Sequence, residues 1–308
     1  MSVAISRHPS SRLALLTPPY EELVPITRAW RPTALPPRGM ALVWWLVDGS
    51  EQEEDFEWLR KRPWGLPLFV VLPPAHELVR AFPLLHYIAS LDPKHVLPNT
   101  QVVSARYLRA LLALPPSNLA YAVTSYLDRR GLLRSERARS DVRKILECVP
   151  EIRSISRLAR RLYTSRRTLG RHFAAEGLPV PSHWLQFGRL LHAAMILQRE
   201  DGAVFRVAVR LDYPDGFTLS NQMKRLLGCR PTDVRGHLGW EWIVETWIRM
   251  EARQGGFDRD RYAAALAPYL LTTPRKADRP ARREFPDGGD HGNEEGEEPS
   301  RSDSGTAE

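Results

Sequence analysis

One sequence unit occurs twice in this chain, as LARRLYTSRRTLGRHF at residues 158–173 and as VAVRLDYPDGFTLSNQM at residues 207–223. Ser165 and Asp215 lie 50 positions apart, and both are residue types that cap helix N-termini. Upstream of them the offset is 49, so the second copy carries one extra residue in its turn. Self-similarity at a fixed offset indicates a duplicated structural unit.

Each copy predicts a short helix, a tight turn and a second helix. The inner faces consist of Leu158, Ala159, Leu162, Leu169 and Phe173 in the first copy and of Val207, Ala208, Leu211, Leu219 and Met223 in the second. Between the copies we expect an amphipathic helix from Ser182 to Gln198, about 26 Å long at 1.5 Å per residue. The spacing therefore favours two helix-turn-helix units on either side of a central helix.

Positive charge is concentrated around these units. The 308-residue chain has a net charge of +8, but residues 129–235 contain 22 Lys and Arg against 10 Asp and Glu, which gives +12 for that segment alone. Most of these cations are arginines, whose planar guanidinium matches phosphates and base edges. The charge indicates a nucleic-acid partner for this segment.

The same residues resemble the C-terminal DNA-binding domain of AraC/XylS-type transcription regulators, from about Ile152 to Arg235. Matching positions are Ala159, Ser165, Leu169, Phe173, Pro181, Arg189, Leu190, Ala193, Ala208, Asp215, Leu219, Lys224, Gly228, Pro231 and Arg235. The resemblance implies that the second helix of each unit enters a major groove. It also implies that the central helix holds these two helices about one DNA turn, roughly 34 Å, apart.

The resemblance assigns roles to the outward positions of both second helices. Base reading falls to Arg167, Gly170, Arg171, Gly216, Phe217, Ser220 and Asn221, and phosphate contact to Ser165, Arg166, Lys224 and Arg225. Arginine can hold a guanine edge, and asparagine an adenine edge, through two hydrogen bonds. We interpret the neighbouring Arg160, Arg161 and Arg210 as members of solvated helix faces.

Two departures from the family pattern matter for function. Tyr163 and Asp212 occupy turn positions that usually hold glycine, and aspartate tolerates a left-handed backbone better than tyrosine does. Gly170 and Gly216 remove two side chains that would usually read bases. We therefore expect sequence selectivity to depend more on the first unit and on DNA shape.

The N-terminal half predicts a small α/β domain. Expected strands are Leu13–Leu16, Ala41–Val47, Pro67–Leu72 and His95–Leu97, and expected helices are Gln52–Arg62, Ala75–Ala89 and Ser104–Leu112, with Ser104 as N-cap. Alternating strands and helices indicate right-handed crossovers. The pattern faintly resembles the receiver domain of bacterial response regulators, but most of the residues that phosphorylation of a receiver requires are missing. No acidic pair follows Leu16, no hydroxyl residue follows Leu72, and no lysine follows Leu97. We interpret Asp48 as a turn residue and the domain as a degenerate receiver that senses or docks without phosphorylation.

These segments give the predicted domain organisation and fold class. We expect residues 1–115 to form an α/β receiver-like sensor or docking domain. A helical connector follows at 116–150, with a second helix starting near Ser140, and leads to the all-α double helix-turn-helix domain at 151–236. A helical extension at 237–271 and a disordered tail at 272–308 follow. The extension carries an apolar face that either caps the preceding domain or dimerises, formed by Trp240, Ile243, Val244 and Trp247.

These observations predict a DNA-binding transcription regulator that reads two successive major grooves. We expect duplex DNA as partner together with RNA polymerase or another regulator, and a homodimer remains open. We expect no cofactor, no metal and no membrane contact, with Cys148 and Cys229 as small apolar residues, and a cytoplasmic location because no export signal is evident. The alternative is a degenerate helix-turn-helix adaptor for proteins, which the outward glycines favour and the charge disfavours. Scattered histidines and missing catalytic motifs argue against an enzyme.

Overall fold

The computed structural model describes residues 12–46, 53–76, 79, 82–98, 103–149 and 151–270. The strands are β1 (Leu13–Leu16), β2 (Leu23–Pro25), β3 (Ala41–Trp45), β4 (Leu68–Val71) and β5 (His95–Leu97). The first helices are α1 (Glu53–Arg60), α2 (Leu85–Ser90) after a 3₁₀ turn at Phe82–Leu84, α3 (Ala105–Ala113), α4 (Leu119–Arg129) and α5 (Glu136–Cys148).

The remaining helices follow without an intervening strand in the described residues. They are α6 (Ile155–Arg161), α7 (Arg166–Ala175), α8 (Pro181–Arg199), α9 (Val204–Arg210), α10 (Gly216–Leu227), α11 (Pro231–Gly236), α12 (Glu241–Gln254) and α13 (Ala263–Leu270). The predicted tail at 272–308 lies outside the described residues. Among the residues that are described, no helix combines the length and hydropathy needed to cross a bilayer.

The sheet is mixed, with the strand order β2-β1-β3-β4-β5. The parallel pairing predicted by the doubly apolar strands holds for β3, β4 and β5, where Leu42 lies opposite Leu68. Strand β1, which lies outside the predicted alternation of strands and helices, is antiparallel to both β2 and β3. No helix separates β1 from β2 or β2 from β3 in the described residues, so the chain has no element with which to cross over. The strand order therefore matches that of a receiver, but the strand directions do not.

Local capping signals account for several helix ends. The predicted cap at Ser104 is confirmed, since its side chain accepts the Tyr107 N–H at 3.2 Å. The predicted start near Ser140 is wrong, because α5 begins at Glu136 with Ser135 accepting the Ala138 N–H at 3.1 Å. Within the described residues, the expected helix at Ala75–Ala89 corresponds to Val79, which is helical, to the 3₁₀ turn and to α2. Val47 and Asp48 lie outside them.

The apolar face of α12 is buried in the core of the helical region. Trp247 stacks on Phe187 of α8 with ring centroids 4.3 Å apart, and its centroid lies 4.5 Å from that of Trp184. Ile243 and Val244 on the same helix are fully buried. The helix thus packs on the central helix. Of the two roles that the sequence allowed for this apolar face, capping and dimerisation, the structure shows capping, because the chain itself covers the face.

A buried polar network ties α12 to α4 and α13. The Glu245 carboxylate accepts hydrogen bonds from the Arg130 guanidinium at 3.1 Å and from the Tyr126 hydroxyl at 2.9 Å. The Tyr269 hydroxyl donates to the same carboxylate. Tyr126 in turn accepts the Gly65 N–H at 2.8 Å, which brings the loop after α1 into the network. Burial is the largest cause of the raised pKa values of both tyrosines.

The sheet and the helices form one compact unit. The Tyr20 hydroxyl, next to β1, donates to the Gly39 carbonyl at 2.8 Å and accepts the Leu238 N–H at 2.7 Å. Within the helical region, α8 packs closely against the end of α5, because a Cβ added to Gly188 on α8 would lie 2.5 Å from Val149. Direct hydrogen bonds therefore join the sheet to the segment between α11 and α12.

Candidate nucleic-acid interface

The first unit consists of α6, a tight turn and α7. Ser165 has an extended backbone and accepts the Thr168 N–H at 3.0 Å, which confirms it as the N-cap of α7. Leu169 and Phe173 are buried, so the opposite side of α7 faces outward. The exposed side chains there are Arg166, Arg167 and Arg171.

The second unit repeats this arrangement with α9 and α10. Asp215 caps α10 by accepting the Thr218 N–H at 2.6 Å, and this hydrogen bond is the main cause of its lowered pKa. Leu219 and Met223 are buried at the positions that correspond to Leu169 and Phe173. The exposed side chains of α10 are Phe217, Asn221, Lys224 and Arg225.

Both turns adopt the left-handed backbone that the family pattern implies. Tyr163 has φ of 52° and Asp212 has φ of 57°, although neither is glycine. The Tyr163 side chain is 99% exposed, so no packing compensates for its backbone conformation. Asp212 instead forms an ion pair with Arg153, which precedes α6, so the turn of the second unit contacts the start of the first.

The two outward glycines occupy different environments. A Cβ on Gly170 would meet nothing within 4 Å, so α7 presents an open gap between its arginines. A Cβ on Gly216 would lie 3.3 Å from the backbone nitrogen of Phe205, so this glycine allows α10 to approach α9 closely. The Ser220 hydroxyl donates to the Gly216 carbonyl at 2.7 Å. Of the polar side chains predicted to read bases, Ser220 is therefore already engaged within its own helix.

Three arginines whose role the sequence did not reveal hold the second unit in place. Arg189 on α8 donates to the Leu211 carbonyl at 2.9 Å and lies 4.3 Å from the ring centroid of Tyr213. Arg235 on α11 donates to the Gly202 carbonyl, just before α9. Arg153 pairs with the turn, as described above. Arg189 and Arg235 belong to the family pattern, which was the available signal, whereas their contacts depend on tertiary packing.

A protein-family model described as a helix-turn-helix domain matches residues 158–237. These residues belong to the AraC-type helix-turn-helix family. The family consists of DNA-binding transcription regulators. The matched range begins within α6 and continues through α11. No curated protein and no solved structure gave a significant match to the chain.

Two histidines of the AraC-type domain form structural contacts, and Cys229 within it and Cys148 before it are shielded from solvent in part or in full. His183 lies 3.0 Å from the buried carboxylate of Glu251 on α12, and His172 on α7 contacts Arg137 of α5. Burial raises the pKa of Cys229 to about 11 and also raises that of Cys148. Both thiols are therefore protonated near neutral pH. The outward cations of α7 and α10 are exposed and therefore available to a polyanion.

Proposed function

We propose that this chain regulates transcription by binding duplex DNA with α7 in one major groove and α10 in the next. The observation that carries the proposal is the repetition itself. Both second helices are capped at the same position, bury the same pair of positions and expose cationic or amide side chains on the opposite side. A helix of this kind fits the major groove, and α8 spans about 28 Å at 1.5 Å per residue, close to one DNA turn.

Base recognition is assigned to exposed side chains in the first two turns of α7 and α10, other than Arg166. Arg167 and Arg171 each present a guanidinium that can bind O6 and N7 of guanine, and Asn221 can bind adenine in the same two-point manner. Phe217, 75% exposed, offers a ring to a thymine methyl group. Ser220 contributes less because its proton is already donated to Gly216.

Phosphate contact is assigned to the remaining cations and to the helix starts. Arg166 lies beside Ser165 at the first turn of α7, where the helix dipole also favours an anion. Lys224 and Arg225 lie near the end of α10 and are exposed. These contacts orient the domain on DNA without selecting a sequence. The open gap at Gly170 leaves part of the first groove to be recognised by its shape.

Random-site selection with the purified full-length chain, followed by mobility-shift titration, tests this proposal. We expect a selected sequence with two conserved blocks centred about 10.5 base pairs apart. Arg171→Ala should weaken binding about 5- to 100-fold and relax selection in one block, and Asn221→Ala should relax selection in the other. Arg160→Ala is the matched control, since it removes an exposed arginine from α6 and should change affinity less than threefold.

Salt titration separates phosphate contacts from base contacts. Arg166→Ala should weaken binding to all sequences equally and reduce the slope of log K against log salt concentration by about 0.9, the value of one phosphate contact. Selection of a single block would contradict the two-groove arrangement. Absence of any selected sequence, with affinity unchanged by Arg171→Ala, would overturn specific DNA recognition altogether.

Two further parts of the proposal concern partners of the DNA-bound chain. RNA polymerase or another regulator is the protein partner that transcription control requires, and the chain acts as a monomer or a homodimer. For the N-terminal sheet region at 1–115 we propose a sensing or docking role. The other functional segments that we propose for the chain are the connector at 116–150, the DNA-binding domain at 151–236 and the extension at 237–271. Pull-down with the DNA-bound chain and light scattering with and without DNA test these points.

A further inference from the structure

A cavity of about 630 Å³ lies beside the sheet, and none of its lining residues belongs to α7 or α10. Its walls come from the segment after α1, the segment between α2 and β5, the loop between α3 and α4, and α4 itself. Trp240 and Glu241, at the start of α12, also line it. The volume is within the range of roughly 300–1,000 Å³ that small-molecule sites occupy.

Aromatic rings form much of the cavity wall. Tyr126 is buried between Trp64 and Trp240, with its ring centroid 5.6 Å from each in an edge-to-face arrangement. Trp64 and Tyr121 are 37% and 56% exposed even though they are large rings. Leu114 extends this apolar rim and is half exposed. Such a wall favours a flat, largely apolar ligand over a sugar or a bare ion.

The carboxylates that line the cavity are already neutralised by lysine and arginine. The Lys94 ammonium lies 2.6 Å from the Glu241 carboxylate, and both side chains are nearly buried. Asp92 pairs with Arg129 at the rim. Neither carboxylate is therefore left to attract a cationic ligand.

Two further arginines give the cavity a positive surplus. Arg62 donates to the backbone carbonyls of Leu59, Leu66 and Asp92, and Arg60 donates to the Ser90 hydroxyl at 3.2 Å. The charge of Arg62 interacts with Asp92 and that of Arg60 with Glu57, but each of these carboxylates is already paired with another cation, Arg129 and Lys61 respectively. The lining holds four cationic side chains, of Arg60, Arg62, Lys94 and Arg129, against two carboxylates, and this surplus beside an apolar wall favours an anionic group on the ligand.

We propose that this cavity binds a small aromatic anion, with its ring against Trp64 and Tyr121 and its charged group facing Arg60 and Arg62. The proposal goes beyond DNA binding and does not depend on it. The bound molecule would lie against Glu241, the first residue of the helix whose Trp247 packs on the central helix of the AraC-type domain.

Fluorescence titration of the full-length chain without DNA tests the site. The probe is 8-anilinonaphthalene-1-sulfonate, an aromatic anion, and its matched control is N-phenyl-1-naphthylamine, which has the same rings and no charge. We expect one saturable site for the sulfonate and at least fivefold weaker binding of the amine. Tyr121→Ala should weaken binding of both probes at least threefold, and Arg60→Gln should weaken only that of the sulfonate.

Tyr107→Ala and Arg106→Gln are the matched control variants, because both residues are exposed on α3 and lie outside the cavity. Each should change affinity less than twofold, with far-UV circular dichroism showing that every variant is folded. Photolabelling of the wild-type chain with an azido derivative of the sulfonate gives a second readout that needs no variant. Label within 60–67, 90–95, 114–129 or 240–241, the segments that line the cavity, supports the proposal. Label elsewhere, equal effects in the control variants, or no saturable site would overturn it, and none of these outcomes bears on DNA binding.

Discussion

Glu245→Gln should destabilise the chain far more than a change of one atom suggests. The carboxylate is fully buried, and the side chain of its partner Arg130 is only 2% exposed. Tyr126 donates to one carboxylate oxygen and Tyr269 to the other, so the amide, with a single oxygen, can accept at only one of these two positions. The positive charge on Arg130 would also lose its counter-charge inside the protein. Removing one partner of a buried ion pair lowers the free energy of unfolding by about 3–5 kcal/mol.

Urea unfolding measures this effect directly. With an m-value near the upper end of about 1–3 kcal/mol/M, the midpoint should fall by about 1 M or more. Tryptophan fluorescence and far-UV circular dichroism must report the same transition, so that one free energy describes it. Glu200→Gln serves as the control, because this residue forms an exposed pair with Arg210 and its loss should change stability by less than about 1 kcal/mol.

A double-mutant cycle identifies the cause. When Arg130→Gln is combined with Glu245→Gln, no buried charge remains without a partner, so the double variant should lose clearly less stability than the two single variants added together. A loss below about 1 kcal/mol in Glu245→Gln, or strict additivity in the cycle, would show that the pair does not hold α12 against α4 and α13.

The remaining predictions concern packing, capping and pH. Gly188→Ala should destabilise the chain by about 1–3 kcal/mol through overpacking, whereas Gly170→Ala should stabilise it by about 0.5–1 kcal/mol, and thermal unfolding distinguishes the two signs. Ser165→Ala should lower stability by about 1 kcal/mol in the same assay, and Ser165→Asp should retain it. Burial raises the pKa of Tyr20 to about 12. The contribution of its neutral hydroxyl to the free energy of unfolding is therefore complete below pH 10 and is lost as pH rises towards 12. Tyr20→Phe should therefore be less stable at pH 8 and should show a shallower loss between pH 10 and pH 12, and an unchanged slope would contradict this assignment.

Helix caps were the most predictable features of this chain. Ser104, Ser165 and Asp215 each close a hydrogen bond to a backbone N–H only three residues away. Such a bond depends on neighbouring residues alone, so residue type and the following apolar spacing are sufficient to predict it. The start of α5 shows the limit, because Ser135 and Ser140 are both suitable residue types. Ser135 is the cap because a helix that starts there also buries Ala138 in the core.

The direction of β1 was not predictable in the same way. Its apolar residues fit a strand buried on both faces, and that much is confirmed. Strand direction, however, depends on whether the connection crosses over the sheet or returns beside it, and residues 17–40 carry no helical period that would have settled the matter. The resemblance to a receiver is therefore not confirmed, since β1 runs antiparallel to its neighbour β3.

The candidate DNA interface and the cavity differ in how far apart in the sequence their residues lie. The repeat in the sequence was enough to predict two helix-turn-helix units and the exposed arginines of α7, because capping and the i, i+4 spacing are local properties that recur with each copy. The AraC-type family came from the residues that match its pattern. The contacts of Arg189, Glu245 and Lys94 join positions 22, 115 and 147 residues apart. No local pattern encodes such pairs, since each forms only after packing has brought distant elements together. The cavity beside Trp64 is the sharpest case, because its lining comes from four separate segments and exists only in the folded chain.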